Sequence, residues 1–101
     1  MGHFKIGKMK KSRIDAPEKL KMKREKIDLI DKKLITLLNQ RLRIALEIGK
    51  TKKEMRENIY DPRREKEVLE KLKLINKGPL KEGDLKKIFG IIMRVSRKCQ
   101  I

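Results

Sequence analysis

Apolar residues recur with a helical period across one long, nearly uninterrupted stretch, residues 18–57. In a seven-residue frame starting at Leu20, the first position reads Leu20, Ile27, Leu34, Arg41, Ile48 and Met55. The position three later reads Lys23, Ile30, Leu37, Ile44 and Thr51, and the next reads Arg24, Asp31, Leu38, Ala45 and Lys52. Together they form one apolar stripe on a single helix. The stretch has no Pro and only one Gly, Gly49. A helix of this length spans ~60 Å at ~1.5 Å per residue, whereas a compact domain of this size is only about 25–30 Å across. Its own chain cannot cover such a stripe. The pattern predicts a second copy, most simply a two-fold homodimer.

Two shorter helices follow. Asp61-Pro62 has the chemistry of a helix start, Asp as the cap and Pro in the first turn. The predicted second helix carries Val68, Leu69, Leu72 and Ile75 on its apolar face. Asn76-Lys77-Gly78-Pro79 ends it, with Gly78 expected as a left-handed cap. Glu82-Gly83-Asp84 then introduces a third helix from Leu85 to about Gln100, apolar at Leu85, Ile88, Phe89, Ile92, Val95 and Cys99. Strand periodicity and internal repeats are absent from the sequence. The expected class is all-α: one long helix and two shorter ones, intertwined with a partner. Residues 1–17 are basic and without period, and are expected to form a mobile tail ahead of a folded domain at 18–101.

Composition narrows the functional classes. The chain has 101 residues, 44% of them charged and 3% aromatic, with a formal net charge of +16. Such a charge fits nucleic acid, an acidic surface or small anionic substrates. A duplex-binding protein would display its cations on an exposed face, but here Arg24, Arg41 and Lys52 interrupt the apolar stripe. A single Cys, Cys99, excludes an internal disulfide and fits a reducing compartment. No run has transmembrane length, and no apolar segment follows the basic N-terminus as in a secretory signal. A soluble cytoplasmic protein is expected, with no membrane and no nucleic acid as partner.

Several chemical motifs fail. Gly49-Lys50-Thr51 resembles the end of a phosphate-binding loop, but that loop needs a Gly where Ile44 stands. His3 and Cys99 are too few for a metal site, and the only His precludes a Ser-His-Asp or Cys-His set. The cation stripe survives. Arg41 and Lys52 lie eleven residues apart, about 20° from the same face and ~16 Å along the axis. Two long side chains leaning together there can hold one small dianion between them. Arg24, roughly 25 Å before Arg41, cannot reach that ligand within one chain, but can reach a partner's site in an antiparallel dimer. Simple ion pairing of these cations is the competing reading. On the second helix Glu65 continues the apolar face and is not explained by a capping box, whose acid would fall at Arg64. On the third, Ser96 and Gln100 share the face of Phe89 and Met93.

The order of these motifs resembles the all-helical (AroQ) class of chorismate mutases. The matching segments are Arg24-Glu-Lys-Ile-Asp-Leu-Ile-Asp31, Leu37-Leu-Asn-Gln-Arg41, Ile48-Gly-Lys-Thr-Lys52 and Asp61-Pro-Arg-Arg-Glu65, followed by Ser96 and Gln100. The resemblance covers about residues 18–101. It implies the Claisen rearrangement of chorismate to prephenate in Phe and Tyr biosynthesis, by a monofunctional isomerase with no cofactor, no metal and no covalent intermediate. It further implies that Arg41 and Arg24 of the partner subunit clamp the substrate carboxylates with help from Ser96, and that Arg64 adds positive field. Lys52 and Gln100 would donate to the ether oxygen, and Glu65, with the backbone near Asp61, would hold the ring hydroxyl. Isochorismate pyruvate lyase, on the same fold, is the nearest alternative. A basic nucleic-acid-binding helical protein is a more distant one.

Overall fold

The computed structural model describes residues 15–101. Of the expected tail, residues 1–14, including His3, lie outside the described residues. Three helices follow: α1 (Ala16–Met55), α2 (Pro62–Ile75) and α3 (Glu82–Cys99). The chain divides into two compact units inside α1, Met1–Leu38 and Asn39–Ile101.

The N-terminal unit is helical from Ala16. Asp15 caps it, its Oδ1 accepting from the Glu18 amide at 3.0 Å, with Pro17 in the first turn as its chemistry requires. The apolar stripe stays open. From Leu20 through Ile27, Ile30, Leu34, Leu37, Ile44 and Ile48 to Met55, every member is between 46% and 59% exposed. That face awaits a covering surface which a single chain does not supply.

The second unit contains the little core that exists. Ala45, Leu85 and Met93 are its buried apolar residues, and Gly49 is buried beside them on α1. Packing of α2 against α3 uses Val68, Leu69 and Leu72, all partly covered. Ile75, expected on the same face, is 70% exposed. The face turns instead to Asn76, the position four after Leu72. On α3 the covered face runs through Leu85, Phe89, Met93, Ser96 and Gln100, while Ile88 and Val95 remain exposed. Lys73 of α2 reaches Glu82 of α3 at 3.2 Å and Glu70 at 3.5 Å. The hydrogen bond from Glu82, assisted by the charge of Glu70, holds its ammonium above the usual lysine range.

The helix ends follow local chemistry, with two corrections. Asp61 caps α2, its Oδ1 accepting from the Arg64 amide at 3.0 Å, and Pro62 occupies the first helical position. Gly78 is not a left-handed cap, since no described Gly has positive φ. Asn76 does the work instead. Its side-chain amide donates to the Leu80 carbonyl at 2.8 Å, and its Oδ1 accepts from the Gly78 amide at 3.4 Å. A side chain that bonds to nearby backbone offers this turn an alternative to a glycine cap. The left-handed residue is Arg56, with φ 58°, at the end of α1. The Glu57 amide bonds back to the Lys52 carbonyl and the Arg56 amide to that of Lys53. This pair is a Schellman closure. The second correction is the start of α3, three residues ahead of Leu85. Glu82 and Asp84 fall in its first turn, where the unpaired amides and helix dipole favour acids.

Among the described residues no helix is long and apolar enough to cross a membrane.

Candidate active site

A cavity of about 260 Å³ opens within the second unit, between the C-terminal part of α1, the loop before α2, the start of α2 and the end of α3. Ile44, Ala45, Ile48, Ile59, Val68 and Met93 form its apolar wall. Into it face Arg41, Lys52, Asp61, Arg64, Glu65, Ser96, Arg97 and Gln100. Seven of these eight polar residues are those singled out by helical spacing and resemblance. Arg24, the remaining candidate, stands in the N-terminal unit, where it is exposed, and does not line this cavity.

Arg41 is held from below. Its Nη1 donates to Ser96 Oγ at 2.7 Å, and the Ser96 hydroxyl donates in turn to the Ile92 carbonyl at 2.9 Å. A hydroxyl has one proton, and Ser96 gives it to its own helix. Ser96 is buried, at 6% exposure, so it acts on the guanidinium, fixing one edge while other N–H groups remain free for an anion. Lys52, one turn from the end of α1, donates to the Ile59 carbonyl at 2.7 Å. An ammonium has three protons, so this bond ties the loop to α1 and leaves two donors for a ligand.

Across the cavity, Glu65 forms an ion pair with Arg97. The Arg97 guanidinium also stacks over the Tyr60 ring, 4.7 Å from its centroid, a cation–π arrangement. Arg64 is more exposed and reaches only Glu67, at 3.8 Å. Asp61 is engaged as the α2 cap.

Gln100 closes the far side. It is the last turn of α3, its amide bonded to the Arg97 and Lys98 carbonyls, and its Oε1 is buried with no hydrogen-bond partner among the described residues. A buried amide with an orphan atom is costly unless something pairs with it. Gly49 makes this seat possible. A Cβ added at Gly49 would lie 2.9 Å from Gln100 Cβ and 3.1 Å from its Cα, closer than real carbons pack. The absence of a side chain at Gly49 lets the end of α3 touch α1.

Sequence reasoning missed Arg97. Met93, Ser96, Arg97 and Gln100 are spaced i, i+3, i+4 and i+7, one face of one helix, and that spacing was the available signal.

The arrangement is an apolar wall ringed by cations, with two carboxylates and one carboxamide. Such a site binds and orients a small anion and stabilises charge that grows on it.

Among solved structures, the fold is similar to the all-helical chorismate mutases. The chorismate mutase of Thermus thermophilus superposes with a TM-score of 0.81 at 31% identity, over 82% of this chain and 94% of that one. Chorismate mutase from Helicobacter pylori, solved in complex with prephenate, gives 0.75 at 37% identity, over 80% and 88%. The family model for chorismate mutase type II matches residues 23–101, and the chain belongs to that family. The bifunctional chorismate mutase/prephenate dehydratase of Aquifex aeolicus is 42% identical over 60 residues, 59% of this chain. The chain spans only 17% of the length of that relative.

Proposed function

We propose that this chain converts chorismate to prephenate by an intramolecular Claisen rearrangement, as a cytoplasmic homodimer serving Phe and Tyr biosynthesis, with residues 18–101 as the catalytic domain. The observation that carries this reading is the convergence of Arg41, Lys52, Glu65, Ser96 and Gln100 on one cavity. Chorismate carries two carboxylates and an enolpyruvyl ether. In one cyclic shift of electron pairs the ether C–O bond breaks as a C–C bond forms, so no nucleophile, proton or outside electron is consumed.

The protein's task is to hold the compact conformer and to stabilise negative charge on the ether oxygen as it develops. Arg41, steadied by Ser96, takes one carboxylate. The free protons of Lys52 and the carboxamide of Gln100 face the ether oxygen. Glu65 and the backbone near Asp61 take the ring hydroxyl, while Arg64 adds positive field. The second carboxylate falls to Arg24 of the partner subunit. The exposed stripe of α1 supports that assembly, because a second copy of the same stripe would cover it.

Loss of chorismate absorbance on adding the protein tests the activity, and an unchanged absorbance sinks it. Mixing an Arg24→Ala chain with an Arg41→Ala chain tests the shared site. Each heterodimer should recover one intact site, giving about a quarter of wild-type activity in an equal mixture. No recovery, with heterodimers shown to form, rules out sharing.

A further inference from the structure

Glu65 poses a problem for a site that admits a dianion. It is a carboxylate on the cavity wall, 23% exposed, and a second carboxylate, Asp61, stands one turn away on the same lining. Both repel an incoming anion, and the repulsion is stronger in a partly dehydrated cavity than in water. Arg41, Lys52 and Arg64 face the same space, but none of them pairs with Glu65. Arg97 does. Its guanidinium is pinned on the other side by the Tyr60 ring, so the cation has one defined position between an aromatic face and a carboxylate. Tyr60, Glu65 and Arg97 come from the loop, α2 and α3, and the stack ties all three elements together at the cavity rim.

Resting on the chorismate mutase reading above, we propose that Arg97 is a positioning residue of this site. It holds the Glu65 carboxylate in one orientation toward the cavity and offsets its charge, so that a dianionic substrate can bind beside an acidic side chain. The effect falls on the substrate and the transition state alike, because both carry the same two negative charges. Uniform binding of this kind appears in KM and not in kcat.

The experiment is a double-mutant cycle on the dimeric protein, with kcat and KM for chorismate measured for wild type, Arg97→Ala, Glu65→Gln and the double variant. Arg97→Ala should raise KM roughly tenfold while kcat stays within about threefold. Arg97→Lys should recover part of the loss, because it keeps the charge without the forked geometry. In the Glu65→Gln background there is no carboxylate charge to offset, and adding Arg97→Ala should change KM less than about twofold. Arg97→Met keeps the apolar stem over Tyr60 and replaces Arg97→Ala in the cycle if that variant does not fold. A KM unchanged by either Arg97 variant overturns the proposal. An equal KM loss in both backgrounds also overturns it, since Arg97 would then act on the ligand or the fold without Glu65. Wild-type protein that leaves chorismate untouched removes the functional reading and this proposal with it. Active wild type with an insensitive Arg97 removes the proposal alone.

Discussion

Replacing Gly49 with Ala should lower turnover sharply while leaving the fold in place. The new Cβ would stand 2.9 Å from Gln100 Cβ, 3.0 Å from its Cγ and 3.1 Å from its Cα. Carbon atoms pack comfortably at about 3.5–4.0 Å, so a gap of roughly 0.6–1 Å must open. All three contacts lie at the root of Gln100, so no side-chain rotation relieves them and the residue must move as a body. The middle of α1 is held by helical bonds on both sides. The end of α3 is held by the Gln100 amide and one longer bond, from the Ile101 amide to the Lys98 carbonyl at 3.4 Å. The end of α3 therefore yields, and it carries the carboxamide away from the cavity. A displacement of about 1 Å in a group that aligns a reaction costs up to ~10²-fold, or about 2.7 kcal/mol of barrier. Stability moves less. An interior Gly→Ala exchange favours the helix by about 1 kcal/mol, against a strain of about 1–3 kcal/mol.

The expected signature is a kcat reduced about 30- to 100-fold with a melting temperature shifted by only a few degrees. Steady-state kinetics and a circular-dichroism melt read both. Because the two residues act as a unit, adding Gly49→Ala to Gln100→Ala should cost little more than Gln100→Ala alone. A Gly49→Ala protein with kcat within about twofold of wild type would refute the reasoning. So would full additivity with Gln100→Ala, which would place the damage elsewhere.

Three further outcomes follow from the site and the helix ends. Lys52→Ala should reduce kcat by roughly 10²–10³ with a smaller change in KM, whereas Arg41→Ala should raise KM markedly as well; equal effects on both constants in both variants would contradict the division of roles. Gln100→Glu should move the activity optimum to lower pH, because only the protonated acid can donate to the ether oxygen and that form is populated toward the carboxylate range near 4; a flat, wild-type profile between about pH 5 and 8 would mean that Gln100 does not touch that oxygen. Arg56→Gly should raise thermal stability, by about 0.5–1 kcal/mol after the flexibility of unfolded Gly is subtracted; a lower melting temperature would show that the Arg56 side chain contributes more than its left-handed backbone costs.

The fold was legible where a pattern had one physical explanation. The α1 stripe could only be a helix, and its length against the size of the chain required a surface beyond it. The structure leaves that stripe half-exposed. Asp61-Pro62 was legible because a cap and a first-turn Pro have no better use. Legibility ended where two chemistries compete for the same turn. After α2, both Gly78 and Asn76 can end a helix, and the Asn side chain won with two hydrogen bonds. At the end of α1 no residue signals positive φ. Arg56 takes it because the bond from Glu57 to the Lys52 carbonyl closes the helix that way, an outcome set by backbone geometry and invisible to residue preference.

The same contrast explains what was seen of the site. Arg41 and Lys52 stood out as cations on an apolar stripe, and Glu65 as an acid on an apolar face. Each violated its local pattern, and violated patterns are where function is expected. Arg97 violated nothing. With 30 Lys and Arg in 101 residues, one more cation on the edge of α3 is what a solvated helix would show. Its meaning arises only in three dimensions, where Tyr60 from the loop and Glu65 from α2 come to it. Gly49 is a similar case. In sequence it is a weak spot in a helix and a fragment of a failed phosphate loop. In space it is the gap that admits Gln100, whose orphan Oε1 has no partner until a ligand or a partner chain supplies one. The residues that react to the substrate were therefore readable from their chemistry, and those that hold them in place were not. A positioning residue is defined by a neighbour distant in sequence, and periodicity reports only on neighbours within one helix.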